Sequence, residues 1–124
     1  MGDFNDTPDD ESLSEVLKAQ KSNNPVINGE MINLSYEWQS RPIQTIKNLY
    51  SWLVFDQFIV SDFFIENNNC LKFKNAEIFD APFLLDTDKK YGGVQPKRTY
   101  KGVKYQDGFS DHLPGLLRLQ STDH

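Results

Sequence analysis

The sequence predicts an α/β (α+β) domain, and three observations carry the prediction. A helix-start signal at Thr7-Pro8 precedes apolar residues at helical spacing. Residues 53–60 are dense in β-branched and aromatic side chains, and residues 115–119 close the chain with a further strand pattern. In a layered α/β domain, neighbouring strand ends converge on one edge of a sheet, where sites are commonly built.

Taken in order, Gly2-Asp3-Phe4-Asn5-Asp6 reads as a loop at the end of a strand, with neither strand nor helix in front of it, so a missing upstream segment is expected. Thr7 is the expected N-cap. Pro8 suits the first turn, where a missing N–H costs nothing, and Asp9, Asp10 and Glu11 sit near the positive end of the helix dipole. Leu13, Val16 and Leu17 follow at helical spacing, and the helix is expected to run to about Gln20 before Asn23-Asn24-Pro25 ends it.

Residues 26–34 mix alternation with a turn signal and read as loop with short strands, while Tyr36-Glu37-Trp38 suits either state. Residues 45–53 read as a helix or as the approach to a strand. Residues 53–60 read as one buried strand interrupted by Asp56, and a charge inside such a strand needs a partner. A short helix or bulge at 62–65 and a turn at Asn67-Asn68-Asn69 lead into a strand region at Leu71-Lys72-Phe73 and Ala76-Glu77-Ile78-Phe79. Pro82-Phe83-Leu84-Leu85 is expected on the core. Residues 86–108 read as a long basic and aromatic loop broken by glycines and Pro96, with local extension at 101–105.

At 124 residues and 13% aromatics, the chain has room for one domain with a modest core. No apolar run approaches the roughly 18 residues that a membrane span needs, and the N-terminus lacks the basic-then-apolar order of a signal peptide. Cys70 is the single cysteine, which rules out an intrachain disulfide or a cysteine zinc cluster and is expected to be a buried, inert thiol. An unpaired cysteine leans the compartment toward the cytoplasm, and is also compatible with an exported parent. The net charge of −5 argues against binding nucleic acid through bulk electrostatics. Its distribution is uneven: acids crowd Asp3 to Glu15, whereas Lys89, Lys90, Lys97, Arg98, Lys101 and Lys104 gather near the other end.

Each candidate site residue is ordinary by itself. Asp3 and Asn5 suit a turn or cap, and His112 after Asp111 suits a surface loop. Asp56 has a structural explanation too, as a pair with Arg41 or a lysine. Their order is more informative: a carboxylate and an amide at one strand end, a buried-looking acid in a second strand, and an Asp-His pair opening a third.

Gly2-Asp3-Phe4-Asn5-Asp6, Phe55-Asp56-Gln57-Phe58-Ile59-Val60-Ser61 and Ser110-Asp111-His112-Leu113-Pro114 resemble, in this order, the last three signature blocks of the endonuclease/exonuclease/phosphatase superfamily. That group includes pancreatic deoxyribonuclease, abasic-site endonucleases, sphingomyelinases and inositol-phosphate phosphatases. Arg98-Thr99-Tyr100-Lys101-Gly102 and the stretch around Phe83-Leu84-Leu85 resemble a bacterial branch of uncharacterised members.

The resemblance implies hydrolysis of a phosphoester substrate, which includes nucleic acid among its classes, with Mg²⁺ (or Mn²⁺) as cofactor. It implies Asp3 as the carboxylate that orients or deprotonates water and Asn5 as a hydrogen-bonding partner of phosphate or water. It implies His112 as donor to a phosphoryl oxygen, Asp56 as acceptor from the other ring nitrogen, and Asp111 as metal ligand. Arg98 and Tyr100 are the expected substrate-binding residues. The family's upstream metal-binding glutamate, early asparagine and further histidine or tyrosine find no counterpart in the chain; for a homodimer that shares both site halves, Glu30, Glu37 and Glu77 are the candidates for the glutamate.

The implied fold is half of a four-layer α/β/β/α sandwich, a mixed, mostly antiparallel sheet with flanking helices, and residues 1–124 correspond to its C-terminal half. An uncovered sheet face would favour self-association or weak stability. The expectation is therefore a fragment of a metal-dependent hydrolase, inactive alone. The competing expectation is a noncatalytic module of the same descent that binds a ligand or partner through the basic and aromatic loop.

Overall fold

The structure, a computed structural model, describes residues 1–21, 29–62 and 71–121. The expected features at Asn23-Asn24-Pro25, residues 63–65, Asn67-Asn68-Asn69 and Cys70 lie outside the described residues. The described chain is mostly strands in small sheets, with few and short helices. No helix among the described residues is long and apolar enough to cross a membrane.

Strand β1 (Gly2–Asp3) pairs antiparallel with β6 (Asp56–Gln57). Strands β2 (Ala19–Lys21), β3 (Met31–Asn33) and β7 (Ile59–Ser61) form a three-stranded mixed sheet, parallel between β2 and β3 and antiparallel between β3 and β7. A hairpin joins β4 (Ile46–Asn48) to β5 (Ser51–Leu53). The longest ladder is antiparallel, between β8 (Leu71–Ile78) and β13 (Gly115–Ser121), with a register shift between Arg118 and Leu119. Two further hairpins are β9 (Leu85–Thr87) with β10 (Val94–Pro96), and β11 (Tyr100–Lys101) with β12 (Lys104–Tyr105).

The expected helix over residues 7–20 is not formed. Residues 7–10 make a turn, in which the Thr7 N–H donates to the Asp10 carboxylate at 2.6 Å and the Asp10 N–H to the Thr7 carbonyl at 3.0 Å. Only Ser12–Val16 is helical, as a single wide π turn closed by the Leu17 N–H on the Ser12 carbonyl. Lys18, at φ 56°, then turns the chain into β2. The apolar trio misled because a stripe needs a core to face: Leu13 is buried, but Val16 is 76% exposed.

The apolar run at 53–60 is likewise not one strand. It is divided among β5, β6 and β7, which serve three different sheets. Buried Thr45 satisfies the break between the first two: its Oγ1 accepts from the Phe55 N–H at 2.9 Å and the Asp56 N–H at 3.2 Å, and donates to the Leu53 carbonyl. Residues 45–53, open between helix and strand on sequence, form the β4–β5 hairpin, with Leu49 at φ 57° in its turn. The loop expected over 86–108 contains most of two hairpins. Gly108 fixes where they end, since a Cβ there would stand 2.1 Å from the Lys97 carbonyl oxygen.

Ile32, Leu34, Trp38, Val54, Phe58, Ile78 and Leu113 form the core. Trp38, on the 3₁₀ helix Tyr36–Ser40, meets Phe58 edge to face at 5.9 Å. Gly115 opens β13 beneath both rings; a Cβ would come within 2.7 Å of Phe58. The short 3₁₀ helix Pro82–Leu84 lays Leu84 and Leu85 against this core, as expected, but leaves Phe83 59% exposed.

Candidate active site

The β1–β6 pairing sets Asp3 directly opposite Asp56. Two carboxylates in cross-strand register repel each other unless a cation stands with them. His112 stands there. Its Nδ1 is 2.5 Å from Asp56 Oδ2 and its Nε2 is 3.7 Å from Asp3 Oδ2. The first is a hydrogen bond and the second too long for one, so the Nε2 edge remains available to a third group.

Three local devices hold this arrangement. An antiparallel bridge joins His112 to Ile46, and the Leu113 N–H donates to the Thr45 carbonyl at 2.7 Å. Thr45 thus fixes both the Asp56 backbone and the histidine segment. The Asp3 Oδ1 accepts from the Asn5 N–H at 2.9 Å, with Asn5 at φ 54° in the left-handed region that asparagine tolerates. Gln57, fully buried, donates through Nε2 to the Asp6 carbonyl at 2.6 Å and accepts from Asn33 Nδ2 at 2.6 Å, which ties the Asp3–Asp6 loop to β3.

Burial lowers the His112 pKa, but the hydrogen bond to Asp56 and the charges of Asp56, Asp111 and Asp3 raise it by more, so the ring titrates above its usual 6.5. With Nδ1–H on Asp56, a protonated ring presents Nε2–H as a donor. Beside the pair lies a cavity of about 440 Å³, lined on its apolar wall by Trp38, Phe58, Leu84, Phe109 and Pro114.

One donor atom from each of Asp3, Asp56 and His112 lies within 4.8 Å of the others, close enough for a shared divalent cation. The other sequence candidates stand apart. Asp111 is exposed and outside this group, though its charge acts on His112, and neither Arg98 nor Tyr100 lines the cavity beside His112. Tyr100 instead packs on Tyr105 at 5.5 Å, and Arg98 lines cavities near Lys101. The alternative partner for Asp56, Arg41 or a lysine, is replaced by His112. The sequence reading gave Thr45 and Gln57 no role; the only hint was a glutamine inside an apolar strand pattern.

In this small β-rich domain a histidine stands between two strand-end carboxylates, hydrogen-bonded to one of them. The family model of the Endonuclease/Exonuclease/phosphatase family matches residues 1–121, and the chain belongs to that family, one of phosphoesterase-type hydrolases whose enzymes generally use divalent metals and act on phosphoester or nucleic-acid substrates. Comparison with curated proteins and with solved structures found no match.

Proposed function

We propose that this chain carries the acid–base portion of a metal-dependent phosphoester hydrolase, a phosphodiesterase, nuclease or phosphatase, and corresponds to the C-terminal half of that enzyme's four-layer domain. The observation that carries the proposal is the His112 ring bonded to Asp56 at 2.5 Å, with its second nitrogen turned toward Asp3. In this reading Asp56 fixes the tautomer and orientation of the ring. Protonated His112 donates from Nε2 to a non-bridging phosphoryl oxygen, so that the charge developing at phosphorus meets a positive donor. Asp3 orients the attacking water and takes its proton as the new P–O bond forms and the bond to the leaving oxygen breaks. Asn5, two residues on from Asp3, offers its amide to the phosphate or the water.

Asp111 would help to hold a Mg²⁺ or Mn²⁺ ion, which would neutralise phosphate charge when bound. Further ligands would come from the parent's upstream half, which leaves the isolated chain inactive or nearly so. The exposed rings of Phe79, Phe83 and Phe109, in edge-to-face contact at 6.1 and 5.8 Å, support an apolar face through which the isolated chain self-associates.

The test is to express the parent with its upstream sequence, load it with Mg²⁺ or Mn²⁺, and assay a panel of phosphomonoesters, phosphodiesters and DNA. Hydrolysis that is lost on His112→Ala is the expected result. A folded, metal-loaded parent that cleaves nothing in the panel would defeat the proposal and leave a binding module.

A further inference from the structure

The basic stretch that the sequence singled out lies apart from His112. Where β9–β10 meets β11–β12, two cavities of about 260 and 250 Å³ share Gln95, Arg98 and Lys101 in their walls. Lys90 borders one and Lys89 the other. The acid at the centre, Asp88, is already filled: its Oδ2 accepts from Lys47 Nζ at 2.7 Å and its Oδ1 from the Lys90 and Tyr91 N–H groups. Among the described residues, no carboxylate pairs with Lys89, Lys90, Arg98 or Lys101.

Arg98 is the telling member. Its Nε is shielded from solvent and has no hydrogen-bond partner, the one buried side-chain polar atom among the described residues in that position. A guanidinium whose Nε is shielded and unpaired is costly, and an oxyanion accepting from that nitrogen would relieve the cost. Guanidinium matches phosphate geometry with two parallel N–H donors, and ammonium groups add point charge around it. Asp86 also stands in the wall of the second cavity, where its Oδ1 accepts from the Thr87 N–H at 2.9 Å, and it makes no ion pair with the basic side chains around it.

We propose that the junction of the two hairpins is a binding site for a small ligand with two linked phosphoryl groups, anchored by Arg98 and Lys101 and divided between the adjoining cavities. Each cavity accommodates one phosphoryl group, and the shared residues bridge them. The site goes beyond the hydrolase reading, since its side chains do not include Asp3, Asp56 or His112.

The test uses the isotope-labelled 124-residue chain, titrated with inorganic pyrophosphate and with phosphate against chloride at matched ionic strength. Expected is a saturable shift of the Arg98 Nε–Hε and Lys101 amide signals, with pyrophosphate binding more tightly than phosphate. Arg98→Lys, which keeps the charge and loses the fork, should weaken pyrophosphate at least about tenfold, and His112→Ala should leave it unchanged. Shifts that chloride reproduces, binding unaltered in R98K, or binding lost in H112A would each overturn the proposal.

Discussion

The Asp56–His112 pair and the Lys47–Asp88 pair join a carboxylate to a nitrogen at nearly the same distance, 2.5 and 2.7 Å, and differ in everything around that contact. The side chains of Lys47 and Asp88 are 5% exposed, and their remaining bonds are taken by the Gly92 carbonyl and by the Lys90 and Tyr91 N–H groups. Those of His112 and Asp56 are 22% and 25% exposed, beside a cavity, with Nε2 uncommitted. A saturated, buried pair joins β4 to the β9–β10 turn and has nothing left to offer a ligand. An unsaturated pair at a cavity edge can move a proton.

The largest expected effect falls on the open pair. In the hydrolase proposed above, Asp56→Asn keeps the shape but withdraws the acceptor that fixes the tautomer, and should lower hydrolysis by about three to four orders of magnitude while the melting temperature changes little. Steady-state kinetics with a calorimetric scan separates the two quantities. A mutant that lost stability and kept activity would make this pair structural as well.

Next in size is the core on which both pairs depend. Trp38→Ala removes the ring that covers Gly115 and Phe58, and should cost about 3–5 kcal/mol by chemical denaturation. Lys47→Met tests the closed pair. It leaves the Asp88 carboxylate buried without its cation, so the melting temperature should fall, while hydrolysis per folded molecule of the proposed hydrolase should be unchanged. An equal loss of activity per folded molecule would erase the distinction between the pairs.

The smallest and most discriminating effect is in pH. His112 is raised above 6.5 in the folded chain, so its contribution to stability is full below the usual histidine value and is lost as pH rises through the raised one. Asp88 is lowered, first by its hydrogen bond to Lys47 and then by the Tyr91 N–H. Its contribution is therefore present above the usual 3.8 and lost as pH falls through the lowered value. The two pairs govern opposite limbs of the stability profile. Denaturation measured across pH should lose its alkaline-side dependence in His112→Ala and its acid-side dependence in Asp88→Asn; an exchange of limbs would contradict the assignment.

The parts legible in the sequence were those encoded by contiguous residues. The Gly2–Asp6, Phe55–Ser61 and Ser110–Pro114 blocks identified the family, and the closing strand was plain from its apolar run and the Pro114-Gly115 break before it. The requirement that Asp56 find a partner followed from the cost of burying a charge. The failures share a cause. Leu13, Val16 and Leu17 have helical spacing, but no core faces Val16 and Lys18 turns the chain away. Lys47 and Thr45 look like ordinary polar residues before a hairpin; they matter only because Asp88 and Asp56 arrive beside them from distant parts of the chain.

By itself, the sequence determined which chemical groups are present and which short segments carry them: a strand-end aspartate, an acid in an apolar run, a histidine ahead of a strand, and a basic corner in an acidic chain. Tertiary structure alone decided that Asp56 and His112, 56 positions apart, share a proton while Arg98 stands elsewhere. The physical reason is range. Propensity and spacing act over a few residues, whereas a pKa, a cavity or a counter-charge depends on what long-range pairing brings within a few ångströms.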